Sequence, residues 1–297
     1  RDAQESRGLG DVYKRQAIRG EASLPSSVLD EFARDCREAL EKQFNRDPKW
    51  RIRMSGLGRP LCQQVQGRDG KDEEMSYNAI LRFLIGDLVE CAVMAILKGA
   101  GVKIVEAQGK CNLTIASEEV QGTLDLVIED EVGGVKVWDV KSASPFSFKQ
   151  KFGKGYEGIK DDDPFGYVMQ GHLYGEAKDL DFGGWIVVDK SSGEIKFVQA
   201  PSDQAEDRAE YLTKAHNVVE ALMSNFKYKK PPMEPEDEYY TVRGEKIYTG
   251  NKLLNKNCTF CGYRKHCWPK AVRHEKVTSK ARTKPQAWYH TLKVKEL

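Results

Sequence analysis

Apolar residues recur along this chain with two different spacings. Between positions 77 and 98 they fall at Ile80, Leu81, Leu84, Leu88, Cys91, Val93 and Leu97. That spacing of three and four predicts an amphipathic helix, which Gly99 and Gly101 stop. A weaker helix is expected to start at Pro25-Ser26-Ser27, with Val28, Leu29, Phe32 and Ala33 on one side. Residues 50–64, which carry Cys62, show no period and read as irregular. Past Gly101 the pattern shortens, and residues 102–107, 113–116, 123–129 and 135–142 read as strands. A helix over 163–178, strands over 185–189 and 195–199, and a long helix over 203–228 follow, before the proline-rich stretch 231–235. Helix, clustered strands, then helix predicts an α/β chain built on one central mixed sheet flanked by helices.

Composition narrows the class. With 297 residues, 40% of them apolar, the chain can bury a sizeable core. The longest unbroken apolar run, from Cys91 to Leu97, has seven residues, where a membrane-spanning helix needs about 20. No charged-then-apolar leader pattern stands at the start, so the reading is a cytoplasmic protein with no membrane partner. The first sixteen residues lack apolar periodicity and are read as a non-native tail. Net charge is only +2, yet residues 241–297 hold fourteen Lys or Arg against three acids. A basic end on an acidic body suggests a polyanion partner.

The most informative stretch is residues 122–144, two alternating apolar runs around the turn-rich 129–134. Read as a hairpin centred near Val132, it sets Asp125 opposite Asp139, provided the loop has odd length or a bulge. Lys141, two residues after Asp139, shares its face. Two carboxylates and a lysine on one sheet face suit Mg²⁺ or Mn²⁺ and an activated water, although D-x-K alone is also common on solvated strands. Glu90, an acid set among Leu88, Val89, Cys91 and Ala92, is a further candidate metal ligand. Gln170 and Tyr174, one helical turn apart, share a face from which they could bind a nucleotide.

Seven cysteines in a chain of this length do not read as a disulfide framework. Cys258, Cys261 and Cys267 form a C-x₂-C-x₅-C triplet, whose thiolates suit zinc or an iron–sulfur cluster. His266 would be a local fourth ligand for Zn²⁺. For a [4Fe–4S] cluster the fourth would be Cys62.

The order Glu90, Asp125, Asp139-x-Lys141, Gln170-x-x-x-Tyr174 resembles the PD-(D/E)xK nuclease superfamily, specifically its RecB-like exonucleases, over about residues 80–180. Leu124 stands where the name-giving proline often sits, and Glu90 where many RecB-like members have histidine. The resemblance implies a restriction-endonuclease-like core, with Mg²⁺ or Mn²⁺ held by Asp125, Asp139 and the main-chain carbonyl of Val140, and Lys141 activating water. One upstream cysteine, a nuclease core and then the triplet is similar to the iron–sulfur nucleases, among them the CRISPR-associated four-cysteine and AddB-type enzymes. There the cluster is structural. It implies a RecB-like nuclease domain over 17–272, closed by Cys62, Cys258, Cys261 and Cys267, with a basic tail over 273–297.

The expectation is therefore a DNA exonuclease of recombination, replication or repair, phage or bacterial, acting on single-stranded ends alongside other recombination or replication proteins. Two alternatives stay open: a non-catalytic nucleic-acid-binding protein with a zinc ribbon, and a nuclease subunit active only in a larger complex.

Overall fold

The computed structural model describes residues 16–45, 49–71, 73, 75–130, 132–273 and 290–292. Nearly all of the expected N-terminal tail, and most of the basic tail, lie outside the described residues. Helices α1 (Ser26–Phe44), α2 (Met54–Leu57), α3 (Leu61–Arg68) and α4 (Tyr77–Gly99) precede strands β1 (Lys103–Ile115), β2 (Glu118–Glu129) and β3 (Val135–Ala143). Helices α5 (Pro145–Gln150), α6 (Gly155–Asp161) and α7 (Tyr167–Lys178) lead to β4 (Asp181–Asp189), β5 (Ile195–Gln199) and α8 (Ala205–Met223). Then come β6 (Glu236–Val242), β7 (Glu245–Leu253), α9 (Lys256–Thr259), α10 (Arg264–Cys267), β8 (Val272–Arg273) and β9 (His290–Leu292). The chain divides into two compact units, one made of residues 1–58 and 76–219, the other of 59–75 and 220–297.

The first unit is α/β. Its five-stranded mixed sheet runs in the order β1-β2-β3-β4-β5 and is flanked by helices. β1–β2, β2–β3 and β4–β5 are antiparallel, while β3 and β4 are parallel, so α5, α6 and α7 form the crossover that a parallel pair requires. The two strands expected at 102–107 and 113–116 are one strand, irregular between Ile104 and Glu106. Gly109, Cys111 and Ile115 point inward, while Gln108, Lys110, Asn112 and Thr114 face solvent. Those outward polar residues hide the continuity from an apolar count. On α1 the buried positions are Ala39 and Gln43, whereas Leu29, expected to point inward, is 48% exposed.

Each face of the sheet has its own core. On one, Val93, Met94 and Leu97 of α4 pack against Leu126, Val140 and Ile186. On the other, Val168, Leu173 and Tyr174 of α7 join Val127, Val137, Trp185 and Val187. Helix α7 comes close to the sheet because Gly171 and Gly175 lack side chains. A Cβ on Gly171 would lie 2.4 Å from the Phe182 ring, and one on Gly175 would lie 2.7 Å from the Leu180 carbonyl oxygen. The helix starts at Tyr167 rather than 163, because Pro164 precedes Gly166, whose φ is +74°. Asp163 Oδ2 then accepts from the Val168 N–H at 2.8 Å.

Under α7 lies a buried polar chain. The Tyr156 hydroxyl donates to Asp207 Oδ2 at 2.7 Å, and Lys160 Nζ reaches Asp207 Oδ1 at 2.5 Å. His172 Nε2 lies 2.7 Å from the same hydroxyl. The phenol has one proton and gives it to the carboxylate, so His172 must donate from Nε2, which leaves Nδ1 buried without a partner. Burial holds this imidazole down to about 4. An unfolded histidine titrates near 6.5, so the unfolded state binds the extra proton first as pH falls. Stability should therefore be intact above about pH 6.5 and decline toward pH 4, by up to about 3 kcal/mol from this group. Urea unfolding at pH 7.5 and pH 4.5 should show a smaller loss for His172→Phe than for the wild type.

The second unit carries a sheet that the apolar pattern does not announce, ordered β6-β7-β9-β8. Its strands are polar, and the buried residues on them are Glu238 and Leu292, with Leu254 just past β7. Glu238 Oε2 accepts from Thr249 Oγ1 at 2.6 Å and from Asn251 Nδ2 at 3.0 Å. β9 brings part of the expected tail into ordered structure. Residues 50–64 are likewise not irregular: Cys62 is on α3, which follows Pro60. Arg68, the last residue of α3, donates to the carbonyls of Leu222 and Phe226 at 2.9 and 2.6 Å. No helix among the described residues is long and apolar enough to cross a membrane.

Candidate functional site

The β2–β3 pairing runs from Glu129↔Val135 to Leu126↔Trp138. One further step in this register sets Asp125 opposite Asp139. The five-residue connection 130–134 has the odd length that this pairing requires, and the Asp130 carboxylate closes it by accepting from the N–H groups of Val132 and Gly134 at 3.1 and 2.7 Å. Beyond Asp125 the strands part. Residues 118–124 of β2 pair with β1, and residues 139–143 of β3 pair with β4. The two aspartates stand at the base of this fork. There the Val140 N–H, released from the ladder, donates to Asp125 Oδ2 at 2.8 Å.

Asp139 is 1% exposed. Lys141 Nζ lies 2.7 Å from Asp139 Oδ1 and 2.6 Å from Oδ2, although Oδ2 makes no well-angled hydrogen bond. Glu90 sits three and four residues before Val93 and Met94, hence on the side of α4 that faces the sheet. Burial, then the charge of Asp125, pushes the Glu90 carboxyl well above its usual range, opposed by Lys141. Burial also raises Asp125, against the pull of Lys141 and the Val140 N–H. Asp139 is pushed up to about 7 by burial and by Asp125, with Lys141 opposing. Burial works against the Lys141 ammonium, but Asp139 and Asp125 outweigh it and hold its pKa above the ordinary lysine value. Lys141 thus keeps its proton. The three carboxyls surround the Lys141 ammonium, with Lys42 a weaker influence on Glu90 and Asp125, and burial drives each of them toward its neutral form.

The Gln170 and Tyr174 side chains are hydrogen-bonded to each other, Nε2 to Oη, at 3.1 Å. The charges of Asp139 and Asp125 help raise the Tyr174 phenol, after burial, which puts it in the same electrostatic neighbourhood. Tyr174 lies over β2 because residue 122 is glycine: a Cβ there would sit 2.6 Å from the Tyr174 ring and 2.9 Å from Met54 Sδ. Gly122 opens the G-T-L-D run, so its placement explains why that run starts with glycine. Tyr167 and Lys151 were not singled out by sequence. The Tyr167 ring centroid is 5.1 Å from Lys141 Nζ and 4.6 Å from Lys151 Nζ.

A second candidate site lies within the other unit, where its two segments meet. Cys62, Cys258, Cys261 and Cys267 line one pocket together with Gln63, Trp268 and others. All four are free thiols. Gln63 Nε2 donates to the Asn257 carbonyl at 3.4 Å, and Gln66 Nε2 lies 3.7 Å from Cys267 Sγ. Burial pushes Cys62 up to about 11, reinforced by Cys258 and Cys267. Cys261 is pushed up to about 12 by burial, with smaller effects from the other three. His266 is exposed and absent from the pocket lining.

Among the described residues no group of three or more His, Cys, Asp or Glu side chains is gathered closely enough to hold a metal ion as it stands. The donor types nonetheless fit. Hard oxygens with surplus negative charge suit a divalent cation, and four thiols on one pocket suit an iron–sulfur cluster or zinc.

No protein-family model matches the chain, and no curated protein matches it. Among solved structures, one described as the crystal structure of SSO0001 is similar at a TM-score of 0.43 and 15% identity, covering 80% of this chain and 95% of that one.

Proposed function

We propose that the protein is a metal-dependent nuclease with a restriction-endonuclease-like, RecB-like core, hydrolysing DNA phosphodiester bonds from an end, with an iron–sulfur cluster in its second unit. The observation that carries the reading is the strand fork with Asp125 across from Asp139 and Lys141 paired to Asp139. Asp125, Asp139, the Val140 carbonyl and Glu90 would hold Mg²⁺ or Mn²⁺. When bound, that ion neutralises phosphate charge and acidifies a water. Lys141, the ammonium paired with Asp139, would orient the water and stabilise charge on the phosphate. Water would add to phosphorus as the P–O3′ bond breaks, losing a proton to solvent while the departing 3′ oxygen takes one up, so that the products are a 5′-phosphate and a 3′-hydroxyl. Gln170 and Tyr174 would steady the DNA end. Cys62, Cys258, Cys261 and Cys267 would hold the cluster in a structural role.

End-labelled single- and double-stranded DNA, incubated with Mg²⁺, Mn²⁺ or EDTA, tests this directly. Products that shorten with time and need the metal are expected. Folded protein that leaves both substrates intact under every metal condition would refute the proposal.

Glu90 has its own test. Glu90→Ala should raise the Mg²⁺ concentration for half-maximal cleavage by about tenfold and shift the preference toward Mn²⁺. An unchanged Mg²⁺ titration would leave Glu90 with a packing role only.

A further inference from the structure

Every cysteine sulfur on the pocket of the second unit has an N–H group beside it. The main-chain N–H groups of Cys62 and Gln63 face the Cys62 sulfur, and that of Tyr263 faces the Cys261 sulfur. Cys267 and Cys258 receive theirs from side chains. Gln66, one turn after Cys62 on α3, donates from Nε2 to Cys267 Sγ at 3.7 Å. The Trp268 indole N–H faces the Cys258 sulfur, and its Nε1 is buried with no well-angled partner of any other kind. Both side chains line the pocket. Filling space does not explain N–H groups converging on all four sulfurs, because a neutral thiol is a weak acceptor. A thiolate is a strong one. The donors therefore match the sulfurs in the charged state that a bound metal centre imposes.

We propose that Trp268 and Gln66 are positioning residues that set the reduction potential of an iron–sulfur centre held by Cys62, Cys258, Cys261 and Cys267. This deepens the iron–sulfur reading and rests on it. Hydrogen bonds to the sulfurs are one of the levers on cluster potential. Reduction by one electron adds negative charge to the cluster and its sulfurs, so an N–H dipole aimed at a sulfur stabilises the reduced form more than the oxidised form. The potential rises accordingly. The electron comes from an external low-potential reductant, dithionite in the test below, and no bond in the protein is made or broken. The main-chain donors at Cys62 and Cys261 act in the same direction but survive any side-chain change. Trp268 and Gln66 are the part of this shell that substitution can remove.

The test uses the full chain, purified anaerobically, as wild type, as Trp268→Phe, as Gln66→Met and as the double variant. Phe and Met keep bulk in the pocket and remove the N–H. Iron and acid-labile sulfide are counted first, and each protein is then titrated with dithionite in the presence of redox mediators while its visible absorbance is followed. At one fixed potential the ratio of reduced to oxidised cluster should be about tenfold lower in the double variant, with each single variant between it and the wild type. Iron release to a chelator should also be faster in the variants, by about tenfold. The two donors act on different sulfurs, so either single variant suffices if the other does not fold. Iron-loaded variants that titrate at the wild-type potential would overturn the proposal while leaving the cluster in place. Folded wild-type protein that holds zinc and no iron would instead overturn the cluster reading itself, and the proposal with it.

Discussion

Cleavage by Lys141→Ala protein should fall by about a thousandfold or more, and Asp125→Asn protein should be equally inactive while melting no lower than the wild type. The two results have different causes. Lys141 is the ammonium paired with Asp139 among three buried or half-buried carboxyls, and in the proposed mechanism its charge would act on the phosphate only as negative charge builds there. Its removal also strips Asp139 of its counter-ion. Breaking a buried pair ordinarily costs about 3–5 kcal/mol, but Asp139, already pushed up to about 7, can respond by taking a proton. Asp125→Asn keeps an oxygen for the Val140 N–H and removes one of the mutually repelling charges, so its fold gains or breaks even. Loss of activity without loss of stability is the signature of a site built for chemistry. Wild-type-like rates for Lys141→Ala would refute the assigned role, and a large drop in Tm for Asp125→Asn would mark Asp125 as structural.

Cys62→Ser should cost the protein both colour and stability. Anaerobically purified wild-type protein is expected to be brown and to contain iron, whereas the variant should be colourless, with an apparent Tm lower by about 10 °C. The expected size follows from the length of chain that a Cys62–Cys258 link would close, about 200 residues, where a cross-link restricts the unfolded state most in the chain-entropy model. Burial first, and then the neighbouring cysteines, raise Cys62 and Cys261, and a cationic centre would relieve both effects while displacing their protons. His266→Ala should leave the colour intact, since that side chain is exposed and outside the pocket lining. Colourless protein with stoichiometric zinc, indifferent to Cys62→Ser, would show that the site is a zinc site.

The Asp125–Asp139 pairing was legible because a hairpin leaves few choices: two alternating runs, a glycine-containing loop and a period of two fix which residues share a face. The helix from Tyr77 was legible for a similar reason, with over five turns of apolar repeats and a serine at position 76 whose hydroxyl accepts from the Ala79 N–H. The second sheet was not legible, because β6 and β7 bury little. In β7, residues 245–248 are all exposed, so no period-two apolar signal marks it. The helical setting of Cys62 escaped notice because an eight-residue helix with glutamines at three of its positions offers too few apolar residues to show a period. The stacking of Phe152 on Tyr167 and of Tyr167 on Phe165 was not legible, because these rings are spread over sixteen positions and no period marks them.

The discontinuity of the second unit sets an order of events during synthesis. Its first segment, residues 59–75, is made before the mixed sheet, and the strands and cysteines that complete it are made after that sheet. At about 5–20 residues per second, roughly 10–40 s separate the appearance of Cys62 from that of Cys258. The mixed sheet has all of its strands by residue 199, so it can fold while α3 still waits for its partner. Any metal centre shared by Cys62 and the later three cysteines could therefore be loaded only after Cys267 has been made. Until then a chain would carry a folded sheet and an open cysteine pocket, the part a protease would reach first.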